Sequence, residues 1–308
     1  WTQRAQRAER PEVAAPARRA PDGVQVAATV DRTAKLYIGG KQVRPDGGYS
    51  RFVYAPSGAL VGEVGDGNRK DIRDAVAAAR NAQKWSQASA HNRAQVLYYM
   101  AENLAVRKVE FTRQLIARAG LSETTADREV EASISRLFTY GAWADKFDGP
   151  VHTPPLRGVA LAMHEPLGVI GIACPDEAPL LAFVSLVAPA LALGNRVVVL
   201  PSEAFPLMAT DFYQVLETSD VPAGVLNIVT GERHVLAQTL AAHDDVDAMW
   251  GFSGATDSAM IERESVGNLK RTFVDHGRVF DWFDTSSEGF PFLRQAVQVK
   301  NIWIPYGD

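Results

Sequence analysis

Between Leu167 and Asp275, short apolar runs alternate with longer segments of helical pattern, and this alternation limits the possible fold more than any other feature. It predicts strands at Val169 to Ala173, Arg196 to Leu200, Val225 to Val229, Ala248 to Phe252 and Arg271 to Asp275. Helices are expected between them at Pro179 to Leu193, Pro206 to Glu217, Glu232 to Ala242 and Ala255 to Glu264. Short apolar strands alternating with helices imply a parallel sheet covered on both faces and joined by right-handed crossovers. The expected class is α/β, with a Rossmann-like sheet of the nucleotide-binding type.

Upstream, Lys35 to Lys41 and Ser50 to Tyr54 read as the strands of one hairpin around the turn-rich Arg44 to Gly48. Helical spacing follows from Asn68 to Trp85, with Ile72, Val76 and Ala79 on one face and Asn68 and Asp71 placed to cap its start. It recurs from Arg93 to Val106 and from Thr124 to Lys146, where Val130, Ile134, Leu137 and Tyr140 form a face. This first half reads as a hairpin with a helical layer. Gly149 to Glu165, with its Pro-Pro pair and Val159-Ala-Leu-Ala-Met163, suggests an extended arm. Val297 to Ile304 alternates like a strand and needs an edge to pair with. Residues 1–34 are rich in Ala, Arg and Pro with one aromatic side chain, too little apolar surface to offset ordering, and read as a tether. The alternative there is a short amphipathic helix over the first ten residues.

Composition removes several function classes. With 46% hydrophobic and 22% charged residues in 308, the chain has the makings of an ordinary core, and its net charge of -4 offers no field for nucleic acid or an anionic membrane. The longest uncharged stretch, Ala178 to Gly194, falls short of the ~20 residues that span a bilayer and reads as a buried core helix. One cysteine, Cys174, cannot form an intrachain disulfide, which fits a reducing, cytoplasmic setting. The start at Trp1, without methionine, reads as a cut through a longer protein or a processed end.

Six segments in register carry a resemblance: Leu36-Tyr-Ile-Gly-Gly-Lys41, Glu165-Pro-Leu-Gly-Val-Ile-Gly171, Ala188-Pro-Ala-Leu-Ala-Leu-Gly-Asn195, Pro201-Ser-Glu203 with Pro206-Leu207, Val221-Pro-Ala-Gly-Val-Leu-Asn227 and Phe252-Ser-Gly-Ala-Thr256. From Lys35 to Asp275 the chain resembles the aldehyde dehydrogenase superfamily, NAD-dependent enzymes that oxidise aldehydes to carboxylic acids. Several motifs depart from the family pattern. Glu177, in Pro175-Asp-Glu-Ala-Pro179, stands where the family has an Asn that stabilises an oxyanion, and a carboxylate would repel that charge. Leu200-Pro-Ser-Glu203 replaces Lys-Pro-Ser-Glu, so one of two ribose contacts is a hydrocarbon. Gly254-Ala-Thr-Asp-Ser-Ala259 lacks the second glycine of Gly-x-Thr-x-x-Gly and puts Asp257 where pyrophosphate would approach. Val274-Asp-His-Gly-Arg-Val279 leaves Asp275 as a shortened substitute for the family's general base.

The family's second α/β domain, which carries the nucleophilic Cys, would follow that last motif. Too few residues separate Val279 from the final strand to build even ~50 residues of domain, and the covalent intermediate needs that thiolate. A truncated fold after a tether resembles the C-terminal, non-catalytic half of family-16 aldehyde dehydrogenases, which makes this chain a pseudoenzyme. The resemblance implies a linker over 1–34, a degenerate dinucleotide-binding domain over 35–148 and 166–283, and an oligomerisation flap over 149–165 and 292–308. It also implies no catalytic residue and no metal, with vestigial cofactor positions at Pro201, Ser202, Glu203, Gly231, Gly254 and Thr256. No cofactor is expected for this chain, and NAD for the parent's catalytic domain. The implied partner is a catalytic aldehyde dehydrogenase domain, in the same polypeptide, met through Val159 to Glu165 and Val297 to Ile304, with the parent a homodimer. The alternatives are an NAD-binding regulatory domain or part of an active NAD-dependent aldehyde dehydrogenase.

Other chemistry-bearing residues have plainer readings. Cys174 ends a predicted buried strand and reads as a small core hydrophobe. Asp176 and Glu177 could form an acid–base pair but read as solvated loop. His234, His243 and His276 are too scattered for a metal site.

Overall fold

A computed structural model describes residues 32–155 and 157–306. The expected tether and the alternative helix over the first ten residues lie outside the described residues up to position 31. The folded part begins earlier than position 35: the Ala34 N–H donates to Glu63 O and its carbonyl accepts from Gly65 N–H, both at 2.8 Å.

Strands β1 (Leu36–Ile38) and β2 (Lys41–Val43) pair tightly around Gly39 and Gly40, with φ of 62° and 76°. Two successive positive φ angles suit a two-residue hairpin turn, and glycine adopts them without steric cost. β3 (Ser50–Tyr54) pairs instead with β4 (Leu60–Gly65) as a separate two-stranded sheet. The single hairpin expected from Lys35–Lys41 and Ser50–Tyr54 is therefore corrected to two, with Arg44 to Gly48 passing between sheets.

The helical layer comprises α1 (Arg69–Asn81), α2 (Lys84–Gln87), α3 (Ala90–Val106), α4 (Lys108–Ala119) and α5 (Glu123–Trp143). Asn68 accepts from the N–H groups of Lys70 and Asp71 while Asp71 accepts from Asn68 N–H, the expected capping box. The sequence reading left out α4, which ends on Gly120 in the left-handed region.

After β5 (Val151–His152) and β6 (Gly158–Pro166) comes the α/β half: β7 (Val169–Ala173), α6 (Pro179–Ala192), β8 (Arg196–Leu200), α7 (Leu207–Asp211), α8 (Tyr213–Glu217), β9 (Leu226–Ile228), α9 (Arg233–Ala241), β10 (Ala248–Gly251), α10 (Ala255–Glu264) and β11 (Arg271–Val274). The one helix expected over 206–217 is two short ones, broken at Phe212, whose buried ring sits between Phe111 and Phe183. The main sheet has the order β11-β10-β7-β8-β9-β1-β2, parallel from β11 to β9 and antiparallel at β1 and β2. Every residue of β7, β8, β9 and β10 is buried, as a sheet covered on both faces requires. Ile170, Ile172, Val197 and Val199 pack with α3, α5 and α6, while Val169, Val198 and Met249 pack with α1, α9 and α10.

The chain then returns through α11 (Phe290–Gln295) to β12 (Val297–Pro305). β12 pairs antiparallel with β6 along its whole length, from Val297 opposite Pro166 to Pro305 opposite Gly158, giving a three-stranded sheet β12-β6-β5 beside the main one. Phe292, Leu293, Ala296 and Val297 lie in the main core, and β12 runs on from Val297. The α6 residues are all buried, as expected, and no helix among the described residues is long and apolar enough to cross a membrane.

Candidate functional site

In the main sheet the chain passes from β7 through β8 to β9 on one side, then crosses to β10 on the other. Ligands of open α/β sheets bind at such a reversal, beyond the carboxyl ends of the strands. A cavity of about 220 Å³ lies there, lined by Asp176 and Glu177 after β7, Ser253 and Gly254 after β10, Asp275 after β11, and Arg233 at the start of α9. Phe280 and Trp282, from the segment after β11, close one side. The volume is below the roughly 300–1,000 Å³ usual for a small-molecule site.

Arg233 organises this crevice. Its guanidinium grips Asp176 bidentately, Nη1 to Oδ1 at 2.9 Å and Nη2 to Oδ2 at 3.0 Å, and Nη1 also donates to Cys174 O at 3.0 Å. Asp176 Oδ1 accepts in addition from Ser202 Oγ at 2.8 Å and Ala204 N–H at 3.1 Å. Burial opposes ionisation of Asp176, but the Arg233 hydrogen bonds and charge, with Ala204 and Ser202, outweigh it and hold the carboxyl below its ordinary range. Asp176 is thus an ion-paired strut and not the solvated loop residue expected, whereas Glu177 is exposed. The sequence reading overlooked Arg233. One signal was present: a cation in the first turn of a helix opposes the helix dipole and so calls for nearby carboxylates.

The expected cofactor positions separate. Ser202 reaches the crevice through Asp176, and Glu203 Oε2 accepts the Arg233 N–H at 3.0 Å. Gly254 lines the cavity with φ of 100° and donates its N–H to Asp275 Oδ2 at 3.0 Å. Pro201 is buried, and neither Gly231 nor the exposed Thr256 lines the cavity. Asp275 Oδ1 accepts from Ser258 Oγ at 2.9 Å and Gly277 N–H at 2.8 Å, so both its oxygens are committed to local structure. Asp257 is hydrogen-bonded to His234 Nδ1 at 2.6 Å. Cys174 is buried, and burial pushes its thiol up, away from the reactive thiolate. No cluster of His, Cys, Asp and Glu suited to a metal occurs among the described residues.

Beneath the crevice, α6 starts at Ala178, a non-glycine residue with φ of 46° that provides no side-chain cap. Glu129 of α5, 1% exposed, supplies the acceptor for Leu180 N–H at 2.9 Å and Leu181 N–H at 3.2 Å. Burial pushes its carboxyl up to about 6 from 4.5 despite those two donors. The folded chain therefore binds this proton more tightly than the unfolded chain, and stability falls as pH rises from about 4.5 to about 6, then levels off. The loss should be about 2 kcal/mol, and Glu129→Gln should flatten that stretch of a urea-unfolding series against pH. An unchanged slope would assign the proton to another group.

A doubly wound sheet with its crevice at the reversal between β7 and β10 places the chain in the Rossmann-like class of α/β folds. Within that class the chain belongs to the aldehyde dehydrogenase family, whose sequence model, described as Aldehyde dehydrogenase family, matches residues 43–277. It is 30% identical to cytosolic 10-formyltetrahydrofolate dehydrogenase of Homo sapiens over 81% of this chain and 29% of that protein. It is 33% identical to aldehyde dehydrogenase 1A1 of Equus caballus over 70% of this chain and 44% of that one. A solved aldehyde dehydrogenase of Bacillus cereus in complex with NAD+ superposes with a TM-score of 0.76 at 25% identity, covering 79% of this chain and 50% of that one. A putative aldehyde dehydrogenase of Burkholderia cenocepacia does so with the same TM-score and coverage at 28% identity. The chain thus spans half or less of the length of these relatives.

Proposed function

We propose that this chain is a non-catalytic aldehyde-dehydrogenase-like domain that docks on a catalytic aldehyde dehydrogenase domain and completes its quaternary structure, as in family-16 members. The catalytic partner is the NAD-dependent domain of the same polypeptide, which assembles as a homodimer. The observation that carries this reading is the β12-β6-β5 sheet, in which β12 is zipped to β6 on one side while its other edge has no strand partner among the described residues. Val299 (54% exposed) and Trp303 (61%) project from that edge strand. An edge of this kind offers main-chain hydrogen bonds to a further strand, with exposed side chains for selectivity. Two further observations support the loss of chemistry. Residues 276–296 lead from β11 to β12 as a loop, one 3-10 turn and α11, packed against the core, with no second α/β unit between them. Cys174 is buried, and it meets Arg233 through its carbonyl oxygen.

Sedimentation of the chain with a catalytic domain of the same protein tests the docking. The intact chain should form a complex, and deleting residues 297–308 should weaken it at least about a hundredfold, since a strand's worth of hydrogen bonds and two apolar anchors go together. Association unchanged by the deletion would overturn the reading.

A further inference from the structure

A dinucleotide's phosphates are held in folds of this type by the unpaired N–H groups and the positive dipole end of a helix that starts at the crevice. Here two helices start there, and both are already served by carboxylates of the chain. The N-cap residue of α9, Glu232, offers no side-chain cap. Instead Arg233 N–H donates to Glu203 Oε2 at 3.0 Å, and the Arg233 side chain folds back onto Asp176 and Cys174 O. At α10 the Gly254 N–H is taken by Asp275 Oδ2 at 3.0 Å, and Asp257, nearly buried in the first turn, is held by His234. A phosphate arriving at either helix would find one N–H at its start already taken and would face carboxylates across a space of about 220 Å³. Two arginines line the crevice: Arg233 is neutralised by Asp176, and Arg278 is exposed at its edge.

We propose that Glu203 and Asp275 have taken over the anion positions of the crevice, so that the chain carries its own substitute for the phosphates and rejects NAD and other nucleoside diphosphates. Glu203, the acid expected to hold a ribose, acts as the anion of α9, and the Arg233–Asp176 pair ties the loop after β7 to the start of α9. This deepens the non-catalytic reading and rests on it, but its test reads anion binding at one crevice and not docking, so the two can fail separately.

Thermal unfolding of the full chain at matched ionic strength, with inorganic pyrophosphate and with NAD as probes, supplies the test. In the wild-type chain neither probe should move Tm up to ~10 mM, a range that covers weak, millimolar binding. Glu203→Ala removes the internal anion and should lower Tm by about 3 °C, and pyrophosphate should restore at least half of that loss with a saturable dependence. Glu203→Gln, which keeps an acceptor for Arg233 N–H, should show a smaller loss and a correspondingly smaller recovery. A saturable rise in the wild-type chain with either probe would mean the crevice is still open to anions, and the proposal falls. It falls equally if the folded Glu203→Ala chain gains nothing from pyrophosphate. If Glu203→Ala does not fold, the wild-type titration decides alone.

Discussion

Arg136→Met should lower the unfolding free energy by about 3 to 5 kcal/mol, the range for removing one partner of a buried ionic network. Arg136 on α5 is 4% exposed and joins three parts of the chain. Its Nε pairs with Glu288 Oε2 at 2.9 Å, Nη1 donates to Ser185 Oγ on α6 at 3.0 Å and to Ser287 O, and Nη2 donates to Trp282 O at 3.0 Å. Without the guanidinium, two carbonyls lose a donor and Glu288 is left half-buried without its cation, each a desolvation cost without return. Arg136→Lys should restore little, because one ammonium cannot address acceptors arranged around a planar fork. Chemical denaturation gives the magnitude, and proteolysis should show new cleavage within residues 277–290. A loss below about 1 kcal/mol would mean the segment is held by its aromatic contacts alone.

Gly168→Ala should be nearly as damaging, at about 3 kcal/mol or more. Gly168 precedes β7 with φ of 136°, where an L side chain is strained, and a methyl group there would lie 2.0 Å from Asp247 Oδ2. That carboxylate cannot step aside freely, since it accepts Val169 N–H at 2.7 Å and Arg80 Nη2 at 2.9 Å. The Gly168 N–H donates to Asn195 Oδ1 at 3.0 Å, and Asn195 Nδ2 in turn donates to Ala296 O at 2.8 Å. One substitution would therefore disturb the start of the central strand and its ties to α1, α6 and the segment before β12. For a chain of this size, Tm should fall by roughly 4 to 6 °C. A fall under about 2 °C would show that Asp247 can relax.

The parallel half of the fold was legible because its strands are uniformly apolar. Nothing but a doubly covered sheet buries Arg196-Val-Val-Val-Leu200 on both faces, and even there Arg196 is accommodated by Ala79 O and Ser86 Oγ. The capping pair Asn68 and Asp71 was legible for the same reason, since its chemistry is local. What escaped was non-local. Whether Ser50–Tyr54 pairs back to β1 or forward to β4 is decided by partners the local pattern does not name. Arg136 lies in a helix with several charged neighbours, and the sequence carries no sign that it and Glu129 point inward while the others face out. At the crevice, broken motifs marked which family groups were missing, but not that Arg233 and Asp176 had filled the space between them.

The pairing of β12 with β6 sets an order on how the molecule comes into being. Val297 meets Pro166 only after the chain has laid down five parallel strands and the helices between them. Closing so long a loop in an unfolded chain is unfavourable, and it becomes cheap only once the intervening sheet has brought the two ends together. β12 would then pair late in folding, on a molecule whose core is already built. Assembly through it would work as a checkpoint in biogenesis, recruiting finished copies and leaving half-folded ones, with their edge unformed, unable to join.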